Sequence, residues 1–534
     1  MLHDNILLIL GLLFVMALLY MLSQKLRVSY PIFLVLGGLA IGFVPGMPRI
    51  ELDPQIAFLI FLPPLLYEAA WFTSWYDFWK WKRPIALLAF GLVFLTSLAV
   101  AFFSNWLIPG FTLALGFLLG GIISPPDAVA AQSVLKGLKI PKRLTTILEG
   151  ESLVNDASSL IVFRFALAAV ITGQFVWQTA VLDFFVVSIM GIAIGIAVAL
   201  IFYAIHKYLP TTSSIDTILT LMTPYIMYLA AEQFHFSGVL AVVSGGLFLS
   251  FRSHAIFDYK TRIQTLGVWS ALIFLLNGLV FILIGLQLPL IIDGLGEYSV
   301  GEAIFYAILI GILTILIRIL WVYPNTYIPR LLSKKIRTRE PFPSPKLVFL
   351  VGWAGMRGVV SLASALAVPL YLADGATAFP HRNLILFITF VVILITLVFQ
   401  GLTMPLLIRA LNVEDDEHIP ENRQLSEIRC RMANHSINYL SENHPSEIES
   451  NAKLKRFYEQ LHYTINRERQ SVSEDGDAKE RAAARLEFNR IFLELVANRR
   501  KELINLRREK IYDDEVLRDY EHTLDLEEAR MTEA

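Results

Sequence analysis

Between about residues 5 and 411 the chain alternates long apolar blocks with short polar connections; beyond about Val413 that pattern gives way to a charged one. A helix needs roughly 20 apolar residues to cross a bilayer. On that measure spans are predicted near 5–22, 29–45, 55–72, 84–104, 111–136, 144–172, 179–205, 216–234, 237–251, 267–289, 301–323, 346–372 and 383–411, thirteen in all, the second and ninth being short. The first lacks a basic leading region and a small-residue cleavage site, so it reads as an uncleaved helix. The predicted fold class is an all-α polytopic membrane protein with about 13 transmembrane helices and a helical tail. Its domains are 1–412, in the membrane, and 413–534, in the cytoplasm.

Basic residues give an orientation. Lys25 and Arg27 follow the first span, Lys80, Lys82 and Arg83 the third, and Lys136, Lys139, Lys142 and Arg143 surround the fifth connection. Lys207 marks the seventh, Arg252, Lys260 and Arg262 the ninth, and Arg330, Lys334, Lys335, Arg337, Arg339 and Lys346 the eleventh. The even-numbered connections hold little beyond Arg49 and Arg382. The positive-inside rule then puts the amino terminus outside and the carboxyl terminus in the cytoplasm, with the protein multi-pass in the cell (inner) membrane.

Composition supports the membrane class. Hydrophobic residues make up 55% of 534, charged residues only 17%, and mean hydropathy is +0.58. A net charge of −1 gives no electrostatic case for nucleic acid. The single cysteine, Cys430, rules out a disulfide framework or multi-cysteine metal site within this chain. The tail is different: stretches such as "AKERAAARLEFNRIFLELVANRRKELINLRREK" combine helix formers with spaced apolar residues, and "SVSEDGDA" (471–478) predicts a break. A solvated helical bundle or coiled coil is the simplest reading of it.

Acidic residues inside an apolar span are costly and mark a polar cavity or a buried partner. The sixth span carries "GESLVND" (150–156). At about 100° per residue, Glu151 and Asn155 share one stripe and Ser152 and Asp156 another, with Asp156 turned about 140° from Glu151. Glu151 is therefore expected to brace the Asn155 amide, while Asp156 points with Ser152 into a cavity. A helix end solvated at the membrane surface is the plainer alternative.

Two spans carry breakers. "GGIISPPDAVAA" (120–131) interrupts the fifth, where Pro125 and Pro126 lack backbone donors and Asp127 follows. The helix should unwind there, freeing carbonyls for a hard cation beside a carboxylate; Asp127 can also serve as an ordinary N-cap. "VGWAGMRGVVSLASALAVP" (351–369) loosens the twelfth with Gly352, Gly355, Gly358 and an intramembrane Arg357. With the seventh span as a linker, each interrupted span is the fifth helix of a six-helix inverted repeat.

Over about residues 5–411 the chain resembles the monovalent cation:proton antiporters of the sodium/proton exchanger type, close to bacterial members. The resemblance rests on "FLPPLLYEAAW" (61–71), "SPPDAVAA" (124–131), "GESLVNDASSLIVFRFAL" (150–167), "AAEQFHFSGVLAVVSGGL" (230–247), "FILIGLQLP" (281–289) and "GMRGVVSLASAL" (355–366). It implies two discontinuous, crossed helices and a homodimer. Asp156 would be the ion-binding aspartate, beside an asparagine, Asn155, that marks these exchangers. Asp127 is the unwound-helix carboxylate, and Glu151 and Ser152 fill the remaining site positions. Asp127, Ser152 and Asp156 are the expected ligands of the monovalent cation. Many relatives carry threonine where Pro126 stands here, so a hydroxyl ligand is replaced by a bare carbonyl. Glu68 and Arg357 resemble a family ion pair within the core.

Arg164 reads as an anchor, Glu232 and His235 as interfacial, and Arg318 as snorkelling to the cytoplasmic end. The function expected is secondary antiport: sodium, or lithium, against protons at Asp156, with electroneutral exchange implied by the resemblance, for pH and sodium homeostasis. No nucleophile–base arrangement or Walker loop is visible, so neither an enzyme nor an ATP-driven pump is expected. No cofactor is expected, sodium and protons being cargo. The alternatives are a potassium/proton exchanger and a non-transporting membrane signalling or scaffold protein.

Overall fold

A computed structural model describes residues 2–26, 28–45, 54–135, 138, 140–173, 177–296, 298–340, 342–372, 377–413, 421–473, 478–509, 517, 520–521 and 523–528. Arg27, Arg49, Lys136, Lys139, the side chain of Arg339 and residues 474–477 of the expected tail break lie outside them. The chain divides into two compact units, residues 1–416 and 417–534.

The first unit is helical throughout its long elements. Ten helical stretches among the described residues are long and apolar enough to cross a membrane, and Tyr30–Gly42 and Leu59–Phe72 are apolar but shorter. Eight elements position the site: α1 (Pro54–Phe72), α2 (Leu113–Ile123), α3 (Ala128–Leu135), α4 (Lys142–Thr172), α5 (Tyr259–Asp293), α6 (Val300–Leu332), α7 (Pro345–Trp353) and α8 (Val359–Leu366).

Local chemistry explains where these helices start and stop. Thr112 caps α2 by accepting from the Leu115 amide (3.3 Å), and Asp258 caps α5 by accepting from Thr261 (2.7 Å). Helix α2 ends at Ile123 because Pro125 cannot donate to the Gly121 carbonyl. The Ser124 hydroxyl takes over that carbonyl at 3.3 Å. Helix α7 opens on Pro345 behind the Ser344 cap and ends at Trp353, where the glycine-bearing segment 354–358 begins. Both breaks thus fall where the sequence places its prolines and glycines.

Burial separates two kinds of helix. On α2 nearly every residue from Leu115 to Ile123 is buried. On Trp177–Tyr208, by contrast, Leu182, Phe185, Ile189 and Ile201 face outward, as suits contact with lipid. Two π-turns occur among the described residues, Leu87–Leu92 and Ile395–Gln400. The carbonyls exposed by the first are taken by Ser158 Oγ (to Ala89 O, 2.5 Å) and Trp321 Nε1 (to Leu87 O, 3.1 Å).

The second unit holds helices Glu421–Asn443, Pro445–Ser450, Ala452–Ser473 and Ala478–Glu509. The first and third pack through Ala433, Ile437 and Ile465, with Arg429 bonded to Glu468 at 3.4 Å.

Candidate functional site

The two unwound segments meet backbone to backbone. The Asp127 amide donates to Met356 O at 2.6 Å, and the Arg357 side chain donates to Ile123 O (Nε, 3.1 Å) and to Gly355 O. The Arg357 amide donates to Thr396 Oγ1 at 3.1 Å. Some groups orphaned by one break are therefore satisfied by the other, and others by neighbouring side chains, as a buried break requires. Gly358 permits the closest approach: a Cβ there would overlap the Asp127 carboxylate.

Helix α4 braces the crossing from one side. Asn155 Nδ2 donates to Pro126 O at 3.0 Å, and Ser152 Oγ accepts from the Ala128 amide at 3.2 Å. Asp127 Oδ1 accepts from the Val129 amide at 2.8 Å, so its carboxylate caps α3 while also facing the cavity described below. The capping role foreseen for Asp127 is present, and the same carboxylate lines the cavity.

The two stripes of α4 separate as their period requires, but their partners differ from expectation. Glu151 does not brace Asn155. It is held by Arg318 of α6, Nη1 to Oε1 at 2.5 Å and Nη2 to Oε2 at 2.7 Å, with both side chains 1% exposed. Arg318 Nε also donates to Val351 O at 3.3 Å. Arg318 therefore does not snorkel outward: Glu151 neutralises it inside the protein, and Glu151 is a strut rather than a cavity ligand. Asn155, freed of Glu151, holds the unwound segment instead.

The pairing of Glu68 with Arg357 is corrected in the same way. The guanidinium of Arg357 is spent on the carbonyls of Ile123 and Gly355, which lost their helical donors at the breaks. Glu68 of α1 lines the cavity instead. Arg164 is an anchor, bonded to Glu232 at 2.6 Å.

A cavity of about 230 Å³ collects the remaining polar groups. Asp127, Ser152 and Asp156 line it together with Pro125, Pro126, Glu68 and Gly358. Asp156 is 8% exposed and has no ion-pair partner among the described residues. Four carboxylates (Glu68, Asp127, Glu149 and Asp156), the Ser152 hydroxyl and the unwound prolines thus surround one small space. That donor set is oxygen-only, the chemistry of a hard cation or a proton. Among the polar lining residues the sequence reading missed Thr73, Glu149, its hydrogen-bond partner Gln132 (2.9 Å), Asn277 and Ser361. Asn277 carried a usable signal, an isolated amide in an apolar run.

Residues 11–410 match the transmembrane sodium/hydrogen exchanger family. Over 394 residues the chain is 34% identical to a sodium, potassium, lithium and rubidium/H(+) antiporter of Bacillus pumilus. That alignment covers 71% of this chain and 58% of the relative, so the chain matches less than two thirds of that protein's length. Over 517 residues it is 30% identical to an uncharacterized Na(+)/H(+) exchanger of Mycobacterium bovis, covering 96% of this chain and 93% of the other. Among solved structures, the sodium proton antiporter MjNhaP1 from Methanocaldococcus jannaschii has a similar fold, with a TM-score of 0.61 at 19% identity over 77% of this chain and all of that one.

Proposed function

We propose that this multi-pass membrane protein, which belongs to the sodium/hydrogen exchanger family, exchanges sodium ions for protons across a cell membrane. The observation that carries the reading is the contrast between two buried acids five residues apart. Glu151 is neutralised by Arg318, whereas Asp156 faces the cavity with no basic partner among the described residues. Its negative charge is left for a cation or a proton to balance. Bound sodium favours the charged carboxylate and a bound proton abolishes it, so the two exclude each other. Asp127 and Ser152 supply further oxygens around the same space.

The crossing of unwound segments gives the cycle its moving part. Carrying the loaded site from one side of the membrane to the other is alternating access, and broken helices at the midplane are its usual frame. The family resemblance, with Asn155 neutral beside Asp156, favours one proton per sodium and an electroneutral cycle. We place the amino terminus outside and the carboxyl terminus in the cytoplasm on the basic connections. The transport domain is taken as 1–412, with 413–534 regulating it or supporting a homodimer.

Potassium is the second reading. The Bacillus pumilus relative is named for potassium and rubidium as well as sodium and lithium, and Pro126 puts a carbonyl where many relatives have a hydroxyl. The test is proton flux in proteoliposomes on adding sodium, lithium or potassium separately. Flux with sodium supports the first reading and flux with potassium alone the second. Silence with all three, from folded protein, refutes exchange.

A further inference from the structure

We propose that Asn277 of α5 is a direct ligand of the transported cation, with Ser361 of α8 as a second neutral oxygen donor, and that Asn277 sets which monovalent cation the cavity accepts. This rests on the exchanger reading above. Asn277 is the one polar side chain in "LIFLLNGLVFILIG" (272–285). It is 4% exposed, lines the cavity with Asp127, Ser152 and Asp156, and its Oδ1 has no hydrogen-bond partner among the described residues. Ser361 is 1% exposed, lines the same cavity, and its Oγ is likewise unpartnered among the described residues.

Buried acceptors are nearly always bonded, because leaving one unmade forfeits its hydration with nothing in return. Asn277 lines the cavity, where a hard cation can complete this buried oxygen. The carboxylates supply charge, and neutral oxygens replace water around the ion without adding charge. The number and strength of such neutral donors govern the choice between small and large alkali cations.

The placement of Asn277 also differs from that of the other ligands. Asp127, Ser152, Asp156 and Ser361 all sit on α4 or the broken helices. Helix α5 packs mainly against Tyr30–Gly42 and Ser213–Gln233, which hold none of them. Asn277 therefore reaches the cavity from a helix that carries none of the other proposed ligands.

The test uses the full-length protein in proteoliposomes, with sodium, lithium and potassium titrated separately against Asn277→Leu, Asn277→Ser and Ser361→Ala. Thermal unfolding is followed in parallel with and without each salt. Asn277→Leu is expected to raise half-saturating sodium about five-fold or more and to change the sodium-to-potassium preference. Asn277→Ser, which keeps an oxygen, should shift less. If Asn277→Leu lowers the melting temperature without salt, Asn277→Ser decides. Wild-type half-saturation for all three ions in the stably folded variants overturns the assignment. A wild-type protein without cation-dependent flux overturns exchange itself; the salt-induced rise in melting temperature, reduced or unchanged in Asn277→Leu, then supports or overturns the ligand role alone.

Discussion

Glu151 and Arg318 form a two-pronged ion pair, 2.5 and 2.7 Å, across 167 residues of sequence, with each side chain 1% exposed. Removing one partner strands the other charge in the protein. Arg318→Ala is therefore expected to destabilise the folded state by about 3–5 kcal/mol. Removing both charges with apolar side chains, as in Glu151→Leu with Arg318→Met, should recover most of the loss, since an apolar replacement of a buried pair is often neutral. Melting temperature and folded yield in detergent measure both. An Arg318→Ala protein as stable as wild type would show that the pair carries no structural weight.

Asp156→Asn should abolish exchange while leaving the fold intact. The substitution keeps the side-chain shape and deletes the charge that cation and proton both need. Size-exclusion profile and melting temperature check the fold; sodium-dependent proton flux checks the role. Persisting flux near the wild-type level means that another group carries the proton.

Gly358→Ala tests the contact between the crossed segments. The added methyl falls on the Asp127 carboxylate and must displace it. Apparent sodium affinity is expected to fall at least about ten-fold, the equivalent of roughly 1.4 kcal/mol. Affinity read from sodium-dependent thermal shifts separates this from slower turnover. Undiminished binding would mean that Asp127 does not act from this position.

A chain ending near residue 413 should still exchange ions. The proposed ligands lie between Asp127 and Ser361, and the second compact unit begins at Glu417. A shifted pH profile or weaker dimer is the expected effect of losing the tail. Well-folded truncated protein inactive at every pH would make the tail part of the transport cycle.

Glu68 and Arg357 show how far the sequence reaches. Each was legible as an intramembrane charge needing an explanation, because burial cost depends on residue type and hydropathy, which are local. The helices, the proline break after Ile123, the glycine-rich break after Trp353 and the grouping of Ser152 with Asp156 were legible for the same reason: backbone donors, chain flexibility and the 3.6-residue period are set by neighbours along the chain. The period says which side chains share a stripe and nothing about what stands opposite. Glu151 had two arginines available in other spans, Arg318 and Arg357, and only the packing of α6 beside α4 put Arg318 in reach. Arg357 was drawn instead to carbonyls that exist as acceptors only because two breaks meet. Asn277 became a candidate ligand only when folding put it in the cavity lining with its oxygen unpartnered among the described residues. Which segments become helices is decided within a few residues; which charges cancel, and which are left for the ion, depends on contacts between distant segments that only the folded chain brings together.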